Sequence, residues 1–243
     1  MNSLAIRSEV LPFVAGAMLF FSLIAVLLRW KGCTRKSLSW FCGIPACLCI
    51  GYFLYFFRDP ERIPPGDGDA IVAGADGTVA AITEVVEGRY LNTPCVRISI
   101  FLSLFDVHVN RAPISGKSCF LGYFPGKHLF TFQEKSSDVN QHNKILIVGK
   151  RTRCLVCQIV GPVCRRVVYW PSHEKPVEVA MGDRIGMMKF GSRLDIYLPK
   201  ADVDVLVKTG DTVRAGETIV ARCWSFDEKS TLRNRLANNG RAQ

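Results

Sequence analysis

Two long apolar stretches open this chain, and no other feature limits its fold so strongly. The first, "LPFVAGAMLFFSLIAVLL", runs from Leu11 to Leu28 without a charge. As a helix it would reach about 27 Å, close to the thickness of a bilayer core. The second, "LSWFCGIPACLCIGYFLYFF", runs from Leu38 to Phe57 and contains Gly43, Pro45 and Gly51 but no charge. Neither has a polar face, so neither suits the surface of a soluble domain. A cleaved signal peptide is the competing reading of the first run. Against it, no small-x-small site follows, and "RWKGCTRK" leads straight into the second run. Residues 1–57 are therefore expected to form a membrane anchor of one or two apolar helices. The loop between the runs holds Arg29, Lys31, Arg35 and Lys36. A positive-inside reading of a hairpin keeps that loop in the cytoplasm and sends the rest of the chain across. A second helix lying in the interface keeps the rest on the cytoplasmic side. The expected location is the cell membrane, with the following domain on its cytoplasmic face.

The remaining 186 residues suffice for one domain with its own core. "RDPERIPPGDGDA", 58–70, reads as a linker rich in Pro, Gly and Asp. Residues 71–226 carry short alternating or apolar runs between turns, among them "CVRISIFLS", "CLVCQIV" and "RLDIYLP". The expected class is mainly β (α+β), with one helix around Lys135 to Asn143 and a polar tail at 227–243. Five basic and one acidic residues precede Arg58, and 26 and 20 follow it. A basic domain beside a membrane anchor points to anionic headgroups rather than nucleic acid, for which no recognition motif is present. Ten cysteines include "CLVC", Cys154 to Cys157. A spacing of three on a strand puts the two thiols on opposite faces, so they are expected to be packed and reduced, with no metal site.

"KTGDTVRAGETIVA" and "PVEVAMGDRIGMMKFGS" share a turn-rich scheme similar to the flattened β-sandwich of biotinyl and lipoyl carrier domains. In those carriers a modified lysine sits at a hairpin tip; here the corresponding residue is Lys189. A membrane-tethered carrier or adaptor is thus one functional reading.

Other residues point to chemistry. "AGADGTV" holds Asp76, "FLSLFDVHVNRAP" holds His108 and Arg111, "GYFPGK" holds Tyr123 and Lys127, and "FGSRLDIYLP" holds Gly191-Ser192. Asp, His and Ser at turns or strand ends are what is needed to make a hydroxyl nucleophilic. A lasting serine nucleophile would make a hydrolase, but no GxSxG elbow is present.

With "FFRDPER" and "GDTVRAGETIVA", these stretches resemble the short, membrane-anchored phosphatidylserine decarboxylases, in the family's order from the anchor to about Trp224. The resemblance implies a self-processing enzyme. Ser192 attacks the Gly191 carbonyl, the chain is cut there, and Ser192 becomes a covalent pyruvoyl cofactor. His108 takes the hydroxyl proton and Asp76 orients the imidazole. The pyruvoyl carbonyl then joins the substrate amine and draws electrons as carbon dioxide leaves phosphatidylserine, giving phosphatidylethanolamine. The implied partners are a phospholipid, the membrane, and the two chains of the cut protein held together, with Arg111, Lys127 and Tyr123 as substrate-binding candidates. Longer family members carry a second histidine where this chain has Arg111. Short members usually have "NERN" where this chain has "NQHN", Asn140 to Asn143. So His108 serves both maturation and decarboxylation, or Arg111 binds carboxylate or phosphate.

Overall fold

The computed structural model describes residues 5–131, 136–162, 167–189 and 192–224. The chain divides into two compact units, Met1–Glu61 and Arg62–Gln243.

In the first unit the apolar runs are helical. Helix α1 (Leu11–Trp30) starts at a proline in its first turn, where the missing N–H is harmless. Helix α2 (Arg35–Phe56) is capped by Thr34, whose Oγ1 accepts from Ser37 N at 3.3 Å. A π-helical stretch, Ser39–Gly43, precedes Pro45 and lets the helix pass a residue that cannot complete the usual ladder. Phe13 packs on Phe53 with ring centroids 5.4 Å apart, joining the two helices. Both are long and apolar enough to cross a membrane. They leave Leu19, Val26, Phe41 and Leu48 more than half exposed, an apolar surface that suits lipid rather than water.

The second unit is a β-sandwich. Its strands are β1 (Ala70–Val72), β2 (Gly77–Glu87), β3 (Thr93–Leu102), β4 (Val109–Arg111), β5 (Gly116–Phe124), β6 (His142–Val148) and β7 (Arg153–Ile159). They continue with β8 (Val167–Tyr169), β9 (Val177–Val179), β10 (Arg184–Met188), β11 (Ser192–Pro199), β12 (Val203–Val205), β13 (Thr212–Val213) and β14 (Ile219–Cys223). Eight form one antiparallel sheet in the order β9-β5-β6-β7-β11-β3-β2-β13. Two three-stranded sheets, β8-β10-β4 and β12-β14-β1, pack over one of its faces, and no sheet closes into a barrel.

The alternation in β11 explains the packing. Leu194, Ile196 and Leu198 point into the main core, where they meet Ile98, Ile100 and Leu102 of β3 and Ile145, Ile147 and Val156 of β6 and β7. Each such fully buried side chain stabilises the fold by about 1.5–3 kcal/mol. The opposite face carries a smaller cluster of Leu91, Cys95, Leu155, Cys157 and Ile159. Cys154 lies in the first cluster and Cys157 in the second, as a spacing of three on a strand requires. The helix expected around Lys135 to Asn143 is shorter: α3 covers Ser136–Val139 and β6 begins at His142. The Asn140 side chain bonds Leu129 N, Leu129 O and Val160 O, pinning the chain in an extended course before a longer helix can form. The expected tail at 227–243 lies outside the described residues.

Candidate active site

The sheet register brings the sequence candidates to one end. Phe124, His142, Ile159, Arg193, Phe101 and Thr78 form a single row across β5-β6-β7-β11-β3-β2. Ser192 stands one residue beyond that row, opposite Leu102. Asp76 stands at the start of β2 and His108 in the segment leaving β3, both at the same end.

Ser192 is the first residue of β11 and is fully buried. Its Oγ has no hydrogen-bond partner among the described residues. An unbonded buried hydroxyl costs about 1–3 kcal/mol. Such a group is a reason to look for chemistry at the atom itself. Gly191, and with it the expected cleavage bond, lies outside the described residues.

His108 is also fully buried. A tight turn positions it: Ser103 N donates to Asp106 Oδ2 at 2.7 Å and Asp106 N to Ser103 O at 3.1 Å. His108 Nδ1 then lies 2.9 Å from Asp106 O. A carbonyl only accepts, so Nδ1 carries the proton and Nε2 the basic lone pair. The His108 carbonyl in turn accepts from Met188 N at 3.1 Å, four residues before Ser192. The 102–108 and 188–192 segments are thus tied at both ends, by the Leu102–Ser192 pair and the His108–Met188 bond.

Asp76 precedes Gly77, where φ is 147° and an added Cβ would stand 2.1 Å from Phe101 O. Only glycine lets β2 approach β3 that closely. The Asp76 carboxylate accepts from Arg62 Nη2 and from Ala215 N, each at 2.8 Å. Arg62 also donates to Glu217 at 2.8 Å. The sequence expectation sets Asp76 against the imidazole; at Nδ1 the structure has the Asp106 carbonyl.

The substrate-binding candidates divide. Arg111 is buried and donates from Nη1 to Gly182 O at 2.8 Å, inside the fold. Tyr123 and Lys127 are exposed. Lys127 is held by its backbone, through Val139 O and Gln141 N, which leaves its ammonium in solvent. Leu104, Phe105 and Phe130 are exposed at the same end of the sheet.

Two buried groups have no counterpart among the sequence candidates. On the core face, Gln158 Nε2 donates to Asn110 Oδ1 at 2.7 Å, and Asn143 Nδ2 donates to Gln158 Oε1 at 3.2 Å. A polar Gln158 inside the apolar run "CLVCQIV" was the available signal. On the other face, Arg193 Nε donates to Asp195 Oδ1 at 2.8 Å and Ser137 Oγ to Asp195 Oδ2 at 2.6 Å, while Arg193 also reaches Ser99 Oγ. This ion pair is wholly buried and immediately follows Ser192.

A cavity of about 720 Å³ lies at the opposite end of the sheet, lined among others by Gly116, Val148 and Thr152. It receives none of these candidates. The Ser192 end thus holds a buried hydroxyl, unbonded among the described residues, and a buried imidazole on the segment tied to the same stretch of chain, the residue types of an activated nucleophile.

The family profile described as Phosphatidylserine decarboxylase matches residues 50–221. A relative from Carboxydothermus hydrogenoformans, "Phosphatidylserine decarboxylase proenzyme", is 43% identical over 186 residues, which is 76% of this chain and 86% of that protein.

Proposed function

The chain belongs to the phosphatidylserine decarboxylase family, and from that premise we propose that it is a self-processing carboxy-lyase that converts phosphatidylserine to phosphatidylethanolamine and carbon dioxide. The observation that carries the reading is the fully buried Ser192 Oγ, unbonded among the described residues, at the head of a central strand. Nothing comparable supports the carrier reading at Lys189, and the family match favours the decarboxylase.

The residues suit the maturation this requires. His108 Nε2 takes the Ser192 hydroxyl proton while the Asp106 carbonyl holds Nδ1–H, so the imidazole stays in its basic tautomer. Ser192 Oγ bonds to the Gly191 carbonyl carbon and the Gly191–Ser192 C–N bond breaks, giving an ester. Elimination across Cα–Cβ of residue 192 then releases the chain ending at Gly191 as its carboxylate and leaves dehydroalanine. One water enters, ammonia departs, and a pyruvoyl group remains at the head of the second chain. Ser192 fits that product: it is buried, its Oγ makes no bond among the described residues that maturation must break, and it is paired to Leu102 at the head of a strand that pairs on its other side from Arg193 onward. A pyruvoyl group supplies a ketone that accepts the substrate amine and withdraws electrons during loss of carbon dioxide. Asp76 secures Arg62 and the Ala215 amide, and so supports the start of β2 at the site's edge. The apolar helices hold the enzyme at the cell membrane, on its cytoplasmic face. Leu104, Phe105, Phe130 and Lys127 turn lipid-compatible and cationic groups toward the headgroups.

Denatured intact mass tests this directly, beside a Ser192→Ala copy. The expected result is two chains, the smaller about 17 Da lighter than a serine-started peptide because ammonia has left, with the alanine copy whole. A single 27.1 kDa chain in both samples would refute the proposal.

A further inference from the structure

Three buried amides lie at the Ser192 end of the core, and two of their polar atoms have no bond among the described residues. The polarity of the set is fixed by one backbone group. Val168 O only accepts, and it lies 3.4 Å from Gln158 Nε2. Gln158 therefore turns Nε2 toward Val168 and Asn110, and Oε1 toward Asn143. Asn110 must meet it with Oδ1 and Asn143 with Nδ2. What remains is a spare donor, Asn110 Nδ2, and a spare acceptor, Asn143 Oδ1, both buried and unbonded among the described residues.

The spare donor is close to the chemistry. Gln158 is opposite Leu194, two residues along the same face from Ser192. Such diagonal neighbours are about 7–8 Å apart, within reach of long side chains. Asn110, which touches Gln158, lies two residues after His108 in an extended segment paired to β10. A fully buried amide N–H with no acceptor among the described residues, bonded to the diagonal neighbour of Ser192 and two residues along the chain from His108, is built to receive an anionic oxygen.

We propose that Asn110 Nδ2 is the donor that receives the carboxylate of the serine headgroup. This deepens the proposed function and rests on it. Arg111, the neighbouring cation, donates to Gly182 O instead. A neutral donor also suits the step better than a guanidinium. During decarboxylation the Cα–carboxylate bond breaks, its electron pair is drawn toward position 192, and a proton replaces carbon dioxide on Cα. The carboxylate loses its charge on the way. An ion pair would stabilise the starting carboxylate more than the transition state and raise the barrier. An amide N–H orients the group in a dry site while holding its charge less tightly.

The test uses the full-length enzyme in detergent–lipid micelles and the variants Asn110→Ala and Asn110→Asp. The first readout is the fraction of chain cut before residue 192, by intact mass, which Asn110→Ala should leave at the wild-type level. The second is kinetic: kcat/KM for phosphatidylserine should fall about 10- to 100-fold, the usual range for losing a hydrogen bond to a charged group. The inhibition constant of phosphatidylethanolamine, which lacks the carboxylate, should stay within about threefold because the lost bond was to the missing group. Asn110→Asp keeps the acceptor for Gln158 and, when protonated, restores a donor. Its activity relative to wild type should therefore rise as pH falls, a response that a packing defect would not give. Turnover by Asn110→Ala near the wild-type level, an equal loss of affinity for the ethanolamine lipid, or a flat relative pH profile for Asn110→Asp would each overturn the assignment. Failure of either variant to self-cleave would assign Asn110 to maturation and overturn it too. An uncut wild-type chain would instead refute the proposed function beneath it.

Discussion

Arg193 and Asp195 offer the sharpest quantitative test of how the head of β11 is held. Replace Arg193 with methionine. Asp195 is fully buried and would keep the Ser137 hydroxyl, 2.6 Å away, but lose the guanidinium at 2.8 Å. Removing one partner of a buried pair leaves an uncompensated charge and costs about 3–5 kcal/mol. For a unit of this size each kcal/mol lowers the melting temperature by about 2–4 °C, so Arg193→Met should melt about 6–20 °C below the parent. The double variant Arg193→Met, Asp195→Leu removes both charges at similar volume and should recover most of that loss, because both desolvation costs disappear together. The assay is thermal unfolding in detergent, followed by tryptophan fluorescence. All proteins carry Ser192→Ala, so that an uncut chain unfolds in every sample. A single variant within about 3 °C of the parent, or a double variant as unstable as the single, would refute the reasoning that the pair is a desolvated unit.

Three further outcomes are expected. Gly186→Ala would place a Cβ 2.1 Å from Val168 O and 2.9 Å from Gln158 Nε2; it should destabilise the fold by about 1–3 kcal/mol through overpacking and lower the fraction of chain cut, measured by denaturant midpoint and intact mass. Leu104→Ser with Phe105→Ser, at the exposed turn beside His108, should raise KM for phosphatidylserine in vesicles severalfold while leaving a dispersed short-chain analogue unaffected; equal effects on both substrates would contradict a bilayer-facing role. His142 stacks on Phe124 with centroids 5.1 Å apart, and burial, then the charge of Lys144, pulls its pKa below 6.5. The unfolded chain therefore binds the proton more readily, so stability is full above pH 6.5 and declines as pH falls below it; His142→Phe should flatten that acid limb in melts from pH 7.5 to 5.5.

How far the sequence reaches is clearest along β11. "SRLDIYLP" reads as a strand with an apolar face, and Leu194, Ile196 and Leu198 are in the core. The same alternation suggests that Arg193 and Asp195 face water, yet both are buried. Alternation reports the difference between two faces and not whether the second is covered; here β11 is central in its sheet and Ser137 lies over its polar side. At the candidate site, the sequence singles out Ser192 and His108 because the chemistry proposed for them is carried by side chains in recognisable stretches. The Nδ1 partner is not legible, because it is a backbone carbonyl that any residue at 106 would supply. Asn110 and Gln158 meet across 48 positions of sequence, a contact that only the stacking of β4 over β7 creates.

If the chain is cut as proposed, the position of Ser192 at the head of a central strand also governs the history of the molecule. A cut there leaves β11, β12, β13 and β14 on the shorter chain, while the partners β3 and β7 of β11, β2 of β13 and β1 of β14 stay on the longer one. The two pieces are woven through two sheets and cannot part without unfolding. Before the cut, strand pairing is a search within one chain. Afterwards it is an encounter between two, opposed by dilution and by the loss of the connection that fixed the register. A protein processed in the proposed way would inherit a fold that it can keep but not readily find again, and its lifetime would be set by the rate of unfolding rather than by an equilibrium.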